Sequence, residues 1–392
     1  MTSRISRLYR TSNLERLVER RLRSLDPIVA GVLNRALDGR ELSVEDGVQL
    51  FKCNGPELQS LVVVADEMRQ RAVGDVATFV VNRNINYTNV CYIGCDFCSF
   101  ARPEGHEEAW FYPIEEITRR AREAHDIGAT EVCIQGGLHP RVDPHFYIDL
   151  CKAIKNELPD IHIHAFSPWE VIFGSRKAHV GVEEYLKMLK EAGLGTMPGT
   201  AAEILDDEVR RVISPNKINT EAWVEVIKTA HRVGIPTTAT IMYGHVDGPE
   251  HWAKHLALIR DIQKETGGFT EFIPLTFIHQ NTELYKTGKA RPGVGGSDDV
   301  KMYAVSRLML HGFIRNIQVS WVKLGPKFAQ HCLTVGANDF GGTLMNESIS
   351  RMAGASHGQF LPVEQLVYLI RSAGRIPAQR TTTYRILKEY LA

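Results

Sequence analysis

Cys91, Cys95 and Cys98 stand in a C-x3-C-x2-C spacing, Cys91-Tyr92-Ile93-Gly94-Cys95-Asp96-Phe97-Cys98, directly after an apolar strand-like segment. Thiolates packed this densely bind metal. A structural zinc site closes four ligands and commonly pairs two C-x2-C knuckles, and no second knuckle is present; completion by His106 or His139 is the zinc alternative. Three thiolates suit a 4Fe-4S cluster with one iron left open. An open iron can chelate the amino and carboxylate groups of S-adenosylmethionine (SAM). One electron then breaks a carbon–sulfur bond and frees a 5'-deoxyadenosyl radical. A pure iron-sulfur electron carrier is the competing class, and it normally ligates every iron with a thiolate.

Other residues have types and positions that suit a bound cofactor or substrate. Gln135-Gly136-Gly137 ends a second strand-like run, where missing side chains would admit the amino acid end of SAM. Ser167 and Glu203 lie just past strand ends and suit ribose hydroxyls, although a helix N-terminal role for Glu203 is equally open. Tyr243 suits adenine or substrate. His164, His245 and His279 are candidate proton carriers. Gln318 and Ser320 are candidate substrate contacts, as are Asn338 and Asp339 at the end of the presumed last strand, with a simple turn as the alternative for these two. Cys53, Cys133, Cys151 and Cys332 sit in apolar settings and read as core.

The elements that must position these residues follow from hydrophobic periodicity. Up to about residue 75 the pattern is helical, with Ser43 and Asp46 spaced as a capping box and Gly55-Pro56 breaking between helices. From Phe79 onward, strand-like runs alternate with amphipathic stretches that end at Gly128, Gly193 and Gly234. Strands are expected near Phe79, Glu131, Ile161, Gly195, Thr237, Thr270 and Ile314, with an eighth near Gly336. Repeated βα units close most economically as a (β/α)8 TIM-type barrel. The expected division is an N-terminal helical cap (1–75), the barrel (76–340) and a C-terminal extension packed on it (341–392).

Strand parity predicts what the barrel encloses. Asn82, Asn84 and Asn86 share one parity, as do Glu131 and Gln135, His162 and His164, Thr238 and Thr240, and Asn316, Gln318 and Ser320; the other parity is mostly apolar. If the apolar face meets the helices, the polar face lines the lumen, where each unpaired group costs roughly 1 to 3 kcal/mol unless water or a polar ligand satisfies it. An open sheet with one solvated face is the alternative, and it predicts no deep cavity.

Among 392 residues, 46 basic and 46 acidic side chains cancel, without the long like-charged runs that hold nucleic acid or anionic membrane. No stretch reaches the roughly 20 apolar residues that span a bilayer. The Arg-rich segment to Asp26 has no apolar core and does not read as a signal peptide. The expected setting is therefore a reducing cytoplasm, where clustered thiols mean metal or catalysis.

The cysteine loop and the preceding Asn82-Arg83-Asn84-Ile85-Asn86-Tyr87-Thr88-Asn89-Val90 resemble the radical SAM superfamily, within a group that holds the deazaflavin (FO) synthase subunits and the futalosine-pathway menaquinone enzymes. Phe97 occupies the aromatic position usual in that loop, whereas Gln135-Gly136-Gly137-Leu138 lacks the Glu of the family's GGE motif. His164 to Pro168, Pro198 to Leu205, Phe277 to Gln280, Ser320 to Gly325 and Gly336 to Asp339 look most like the second FO synthase subunit family, CofH. The menaquinone cyclase MqnC, which acts on dehypoxanthine futalosine, is the rival. The resemblance implies hydrogen abstraction from L-tyrosine, Cα–Cβ cleavage, and addition of the 4-hydroxybenzyl fragment to C5 of 5-amino-6-(D-ribitylamino)uracil. It also implies a partner subunit, CofG, that closes the deazaflavin ring, and a flavodoxin or ferredoxin reductant.

Overall fold

The computed structural model describes residues 25–391. Most of the Arg-rich N-terminal segment lies outside them. Among the described residues there are nine strands, β1 (Val76–Val80), β2 (Asn82–Ile85), β3 (Glu131–Ile134), β4 (His162–Ala165), β5 (Thr237–Tyr243), β6 (Phe269–Thr276), β7 (Asp339–Gly342), β8 (Ile376–Arg380) and β9 (Ile386–Glu389).

Strands β1 and β2 are two halves of one barrel strand, interrupted at Val81. From β2 the parallel ladder runs to β3 and β4, then through the bridges His164–Thr196 and Met197–Thr237 to β5 and β6. It continues through Phe272–Ile317 and Gln318–Asp339 to β7, which pairs back onto β1. Eight parallel positions thus close a ring, two of them represented by short bridging segments at Thr196–Met197 and Ile317–Gln318. Each expected strand has its counterpart. Intervening helices turn back at Gly128, Gly193 and Gly234, all with positive φ, where a side chain would be strained.

The N-terminal helices Pro27–Leu37, Val44–Lys52 and Gly55–Val73 start as their residues dictate: Ser43 and Asp46 form the reciprocal capping box, and Pro56 occupies the first turn of the third helix. The second and third pack on the outer helices Pro249–Thr266 and Gly296–Met309, and the first packs on the second and third. The boundary expected at residue 340 falls inside β7.

β8 pairs in parallel with β1, from Val76–Ile376 to Phe79–Gln379, alongside the half of the barrel strand that β3 does not reach. β9 folds back on it as an antiparallel hairpin. This placement carries Arg380 under the lumen. Its guanidinium donates to Asp339 at 2.5 and 3.0 Å and to Glu271 at 3.5 Å, while Tyr384 donates to Glu271 at 2.5 Å. Asp339 also accepts from Thr78. The floor of the barrel is a polar network in which Arg380 and Tyr384 of the C-terminal extension bind Glu271 and Asp339 of the barrel strands.

Candidate active site

Above that floor lies a cavity of ≈ 310 Å³. Its wall is the polar parity of the strands: Asn82, Asn84, Asn86, Glu131, Gln135, His164, Thr238, Thr240, Gln318 and Ser320 all line it. The lumen is real, which rules out the open sheet. Cys133, expected in the core, also faces the lumen, since it shares the parity of Glu131 and Gln135.

The cysteine loop follows β2 at the C-terminal mouth of the barrel, where enzymes of this architecture keep their chemistry. Cys91, Cys95 and Cys98 line an outer recess of ≈ 480 Å³, and Phe97 and Cys98 also face the lumen. The loop joins the two spaces. Among the described residues no three His, Cys, Asp or Glu side chains converge as ligands of a single ion do. A cubane cluster instead takes its thiolates at separate irons. His106 and His139 do not complete a zinc site: each Nδ1 accepts a hydrogen bond from a backbone N–H two residues on, from Glu108 and Arg141. Burial pushes Cys95 up to about 12 against the pull of Lys217, so metal binding at this thiol is coupled to proton release.

Around the mouth, buried acceptors lack partners. Asn84 Oδ1, Asn86 Oδ1, Ser99 Oγ and Glu203 Oε2 are unsatisfied among the described residues, and all four residues line the lumen. Glu203 is held at φ +42° with its other oxygen 2.6 Å from Lys217 Nζ, and that ammonium lies 5.4 Å from the Phe97 ring centroid. Backbone strain and a buried ion pair fix this carboxylate beside the cysteine loop. Gln135 accepts from Thr200 Oγ1 at 3.0 Å.

Several sequence expectations are corrected. Gly136 and Gly137 are not a cradle open to a ligand: a Cβ at Gly136 would strike the Tyr87 ring, and one at Gly137 would come within 2.3 Å of the Val90 carbonyl oxygen. Their bareness lets the cysteine loop pack on the end of β3. Ser167 is a helix cap, its hydroxyl 2.7 Å from Glu170 in a capping box, and it is not at the cavity wall. Tyr243 is fully buried and donates to Asp299 at 2.6 Å. His245, also buried, is engaged by the Met242 carbonyl at 3.0 Å and the Val246 N–H at 2.8 Å, away from the lumen. His279 packs against Tyr285 outside the cavity. Asn338 and Asp339 lie at the start of β7 rather than its end. Asn338 there binds Arg307, Ile317 and Asn316, and Asp339 binds Arg380. His164 does face the lumen, but burial pushes it down to about 4; neutral at pH 7, it holds Thr196 at 2.7 Å and is not a charged proton carrier.

The same geometry exposes residues that the sequence reading passed over: Arg380, Glu271, Lys217, Lys323 and Glu347. Burial pushes Glu271 up to about 7. A carboxyl raised in the fold above its ordinary value favours the folded state at low pH, and that contribution is lost as pH rises through about 7. Relative to Glu271→Gln, the wild-type chain should lose stability between pH 4.5 and 7. Paired thermal melts across this range check it; parallel curves would contradict it.

Comparison with known proteins decides the family. The radical SAM superfamily profile matches residues 85–259, and the CofH/MqnC C-terminal region matches 266–391. The 5-amino-6-(D-ribitylamino)uracil--L-tyrosine 4-hydroxyphenyl transferase of Methanothermobacter thermautotrophicus is 53% identical over 91% of this chain and 97% of its own length. This chain belongs to the CofH family of radical SAM proteins. The corresponding transferase of Methanocaldococcus jannaschii is 52% identical over 89% of this chain and 98% of its own. FO synthase of Mycobacterium leprae is 50% identical over 92% of this chain but only 42% of its own length.

Solved structures of methylornithine synthase PylB (TM-score 0.71, 19% identity, 88% of this chain and 97% of that one) and of the FeFe-hydrogenase maturase HydG from Carboxydothermus hydrogenoformans (0.71, 17%, 98% and 86%) share the fold. Membership of the superfamily implies a 4Fe-4S cluster and SAM. The donor set fits: three thiols line one recess, with an aromatic ring and unsatisfied buried acceptors at its inner side.

Proposed function

We propose that this protein transfers the 4-hydroxybenzyl group of L-tyrosine to C5 of 5-amino-6-(D-ribitylamino)uracil, a step in deazaflavin FO biosynthesis. The observation that carries the reading is 53% identity over 97% of the Methanothermobacter transferase. When bound, the cluster and SAM supply the 5'-deoxyadenosyl radical that takes hydrogen from the tyrosine amine. The tyrosine Cα–Cβ bond would then break, leaving 2-iminoacetate and a 4-hydroxybenzyl radical that adds to the uracil ring; the adduct radical would pass one electron to an oxidised flavodoxin or ferredoxin and release a proton.

The chain's own work is to bind, orient and exclude water. Cys91, Cys95 and Cys98 hold the cluster, Phe97 walls its inner side, and Glu203, fixed by Lys217, presents an acceptor suited to a SAM hydroxyl or amine. A ribityl diaminouracil is rich in donors and acceptors, and Asn84, Asn86, Gln318 and Ser320 offer complementary groups. The satisfied floor under Arg380 seals the far end. CofG as the ring-closing partner, a flavodoxin or ferredoxin donor and a reducing cytoplasm complete the reading; no helix among the described residues is long and apolar enough to cross a membrane.

Anaerobically reconstituted protein, reduced and given SAM, should form 5'-deoxyadenosine and 2-iminoacetate only when tyrosine and the ribityl diaminouracil are present together. The CofH/MqnC match also covers a futalosine cyclase. Acceleration by dehypoxanthine futalosine alone would replace the present reading.

A further inference from the structure

Among the charged groups that line the lumen, Glu203 is neutralised by Lys217 and Glu271 by Arg380, while Glu131 forms no ion pair among the described residues and accepts from Asn82 Nδ2 at 2.8 Å. Two others, nearer the mouth, also lack a partner of opposite charge. Lys323 faces the cavity with no hydrogen bond or ion pair to its ammonium among the described residues. Glu347 is 7% exposed, and among the described residues its carboxylate accepts only from the Ser350 N–H, at 3.0 and 3.1 Å.

The two residues come from neighbouring walls. Lys323 follows the bridging segment that pairs through Gln318 with Asp339, and Glu347 follows β7 itself, so both rise at the C-terminal mouth. Leu344, three residues before Glu347, accepts a hydrogen bond from Asn84 on the strand that carries the cysteine loop. Glu347 thus follows a strand end that pairs with the strand leading into the cysteine loop. Burial disfavours the Lys323 ammonium, and the charge of Glu347 is the opposing influence. An unpaired cation and an unpaired anion in one half-closed cavity are costly unless a ligand of matching charges bridges them.

We propose that Lys323 and Glu347 form the binding site for the amino acid end of the substrate, Lys323 pairing with its α-carboxylate and Glu347 accepting from its α-amine. This rests on the transferase reading and adds a residue assignment to it. The bare wall of Asn84, Asn86, Gln318 and Ser320 is then left for the second substrate, and the amine whose hydrogen is taken is held toward the cysteine loop.

The test compares L-tyrosine, tyramine and 3-(4-hydroxyphenyl)propionate on the full-length, cluster-loaded protein with SAM. Equilibrium dialysis of radiolabelled tyrosine without reductant gives affinity apart from turnover, and steady-state assays give KM for both substrates. Lys323→Met should weaken tyrosine roughly tenfold or more, as expected for a lost charge-assisted contact, and should erase the preference for tyrosine over tyramine. Lys323→Arg should restore much of it. Glu347→Gln should erase the preference for tyrosine over the propionate, and the KM for the ribityl diaminouracil should hold in every variant. Unchanged tyrosine affinity in Lys323→Met and Glu347→Gln overturns the assignment alone. Equal weakening of tyrosine and tyramine by Lys323→Met, or a rise confined to the uracil KM, overturns it too. A wild-type protein that binds no tyrosine overturns both the assignment and the transferase reading.

Discussion

Cys95→Ala protein, reconstituted without oxygen, should hold almost no iron and cleave SAM at background, a loss on the order of 10³-fold or more. Two thiolates cannot retain a cubane whose fourth iron is reserved for SAM, because a second iron would then depend on water or exogenous thiol. The same outcome is expected for Cys91→Ala and Cys98→Ala. Cys133→Ala is the informative companion. Its thiol faces the lumen, and burial pushes it up to about 12, so it remains a thiol and should not matter to iron content. Iron and sulfide analysis of the four variants checks this. Loss of the cluster in Cys133→Ala would mean four protein ligands and no open iron.

Arg380→Met should be strongly destabilising. It leaves Asp339 and Glu271, 0% and 4% exposed, without their cation. Breaking a buried ion pair from one side costs about 3–5 kcal/mol. With an unfolding entropy near ~2.1 cal/mol/K per residue, the melting temperature of a chain this long should fall by about 5 °C. Because the damage is uncompensated charge, Asp339→Asn and Glu271→Gln added to Arg380→Met should recover much of the loss. A melting temperature unchanged by Arg380→Met would show that the hairpin does not seal the barrel floor.

How far the sequence speaks for itself depends on the range of the interaction. Parity found the lumen because Asn82, Asn84 and Asn86, or Thr238 and Thr240, need only the two-residue period of a strand. The same rule could have excluded Tyr243: Met242 continues the inward parity of Thr238 and Thr240, so the tyrosine must point to the helices. Ser167 had its own signal in Ser167-Pro168-Trp169-Glu170, a cap with Pro in the first turn and the reciprocal Glu three residues on.

Other features had no local signature. β7 is four residues with Gly341 and Gly342 at its end, too short and too bare to mark its own limits, so the sequence pattern puts Asn338 and Asp339 at the strand's end whereas they stand at its start. Arg380 reaches Asp339 across 41 residues of chain, and only the pairing of β8 with β1 brings them together. Lys217, Lys323 and Glu347 lie outside the strands, where no period governs direction.

One iron without a protein ligand is the condition on which the radical chemistry of this protein rests. Mössbauer and electron paramagnetic resonance spectra of the reconstituted wild-type protein, before and after SAM, test this directly. One of the four irons should change its parameters on SAM addition, and the signal of the reduced cluster should shift. Spectra indifferent to SAM, from a cluster with four equivalent thiolate-ligated irons, would contradict it.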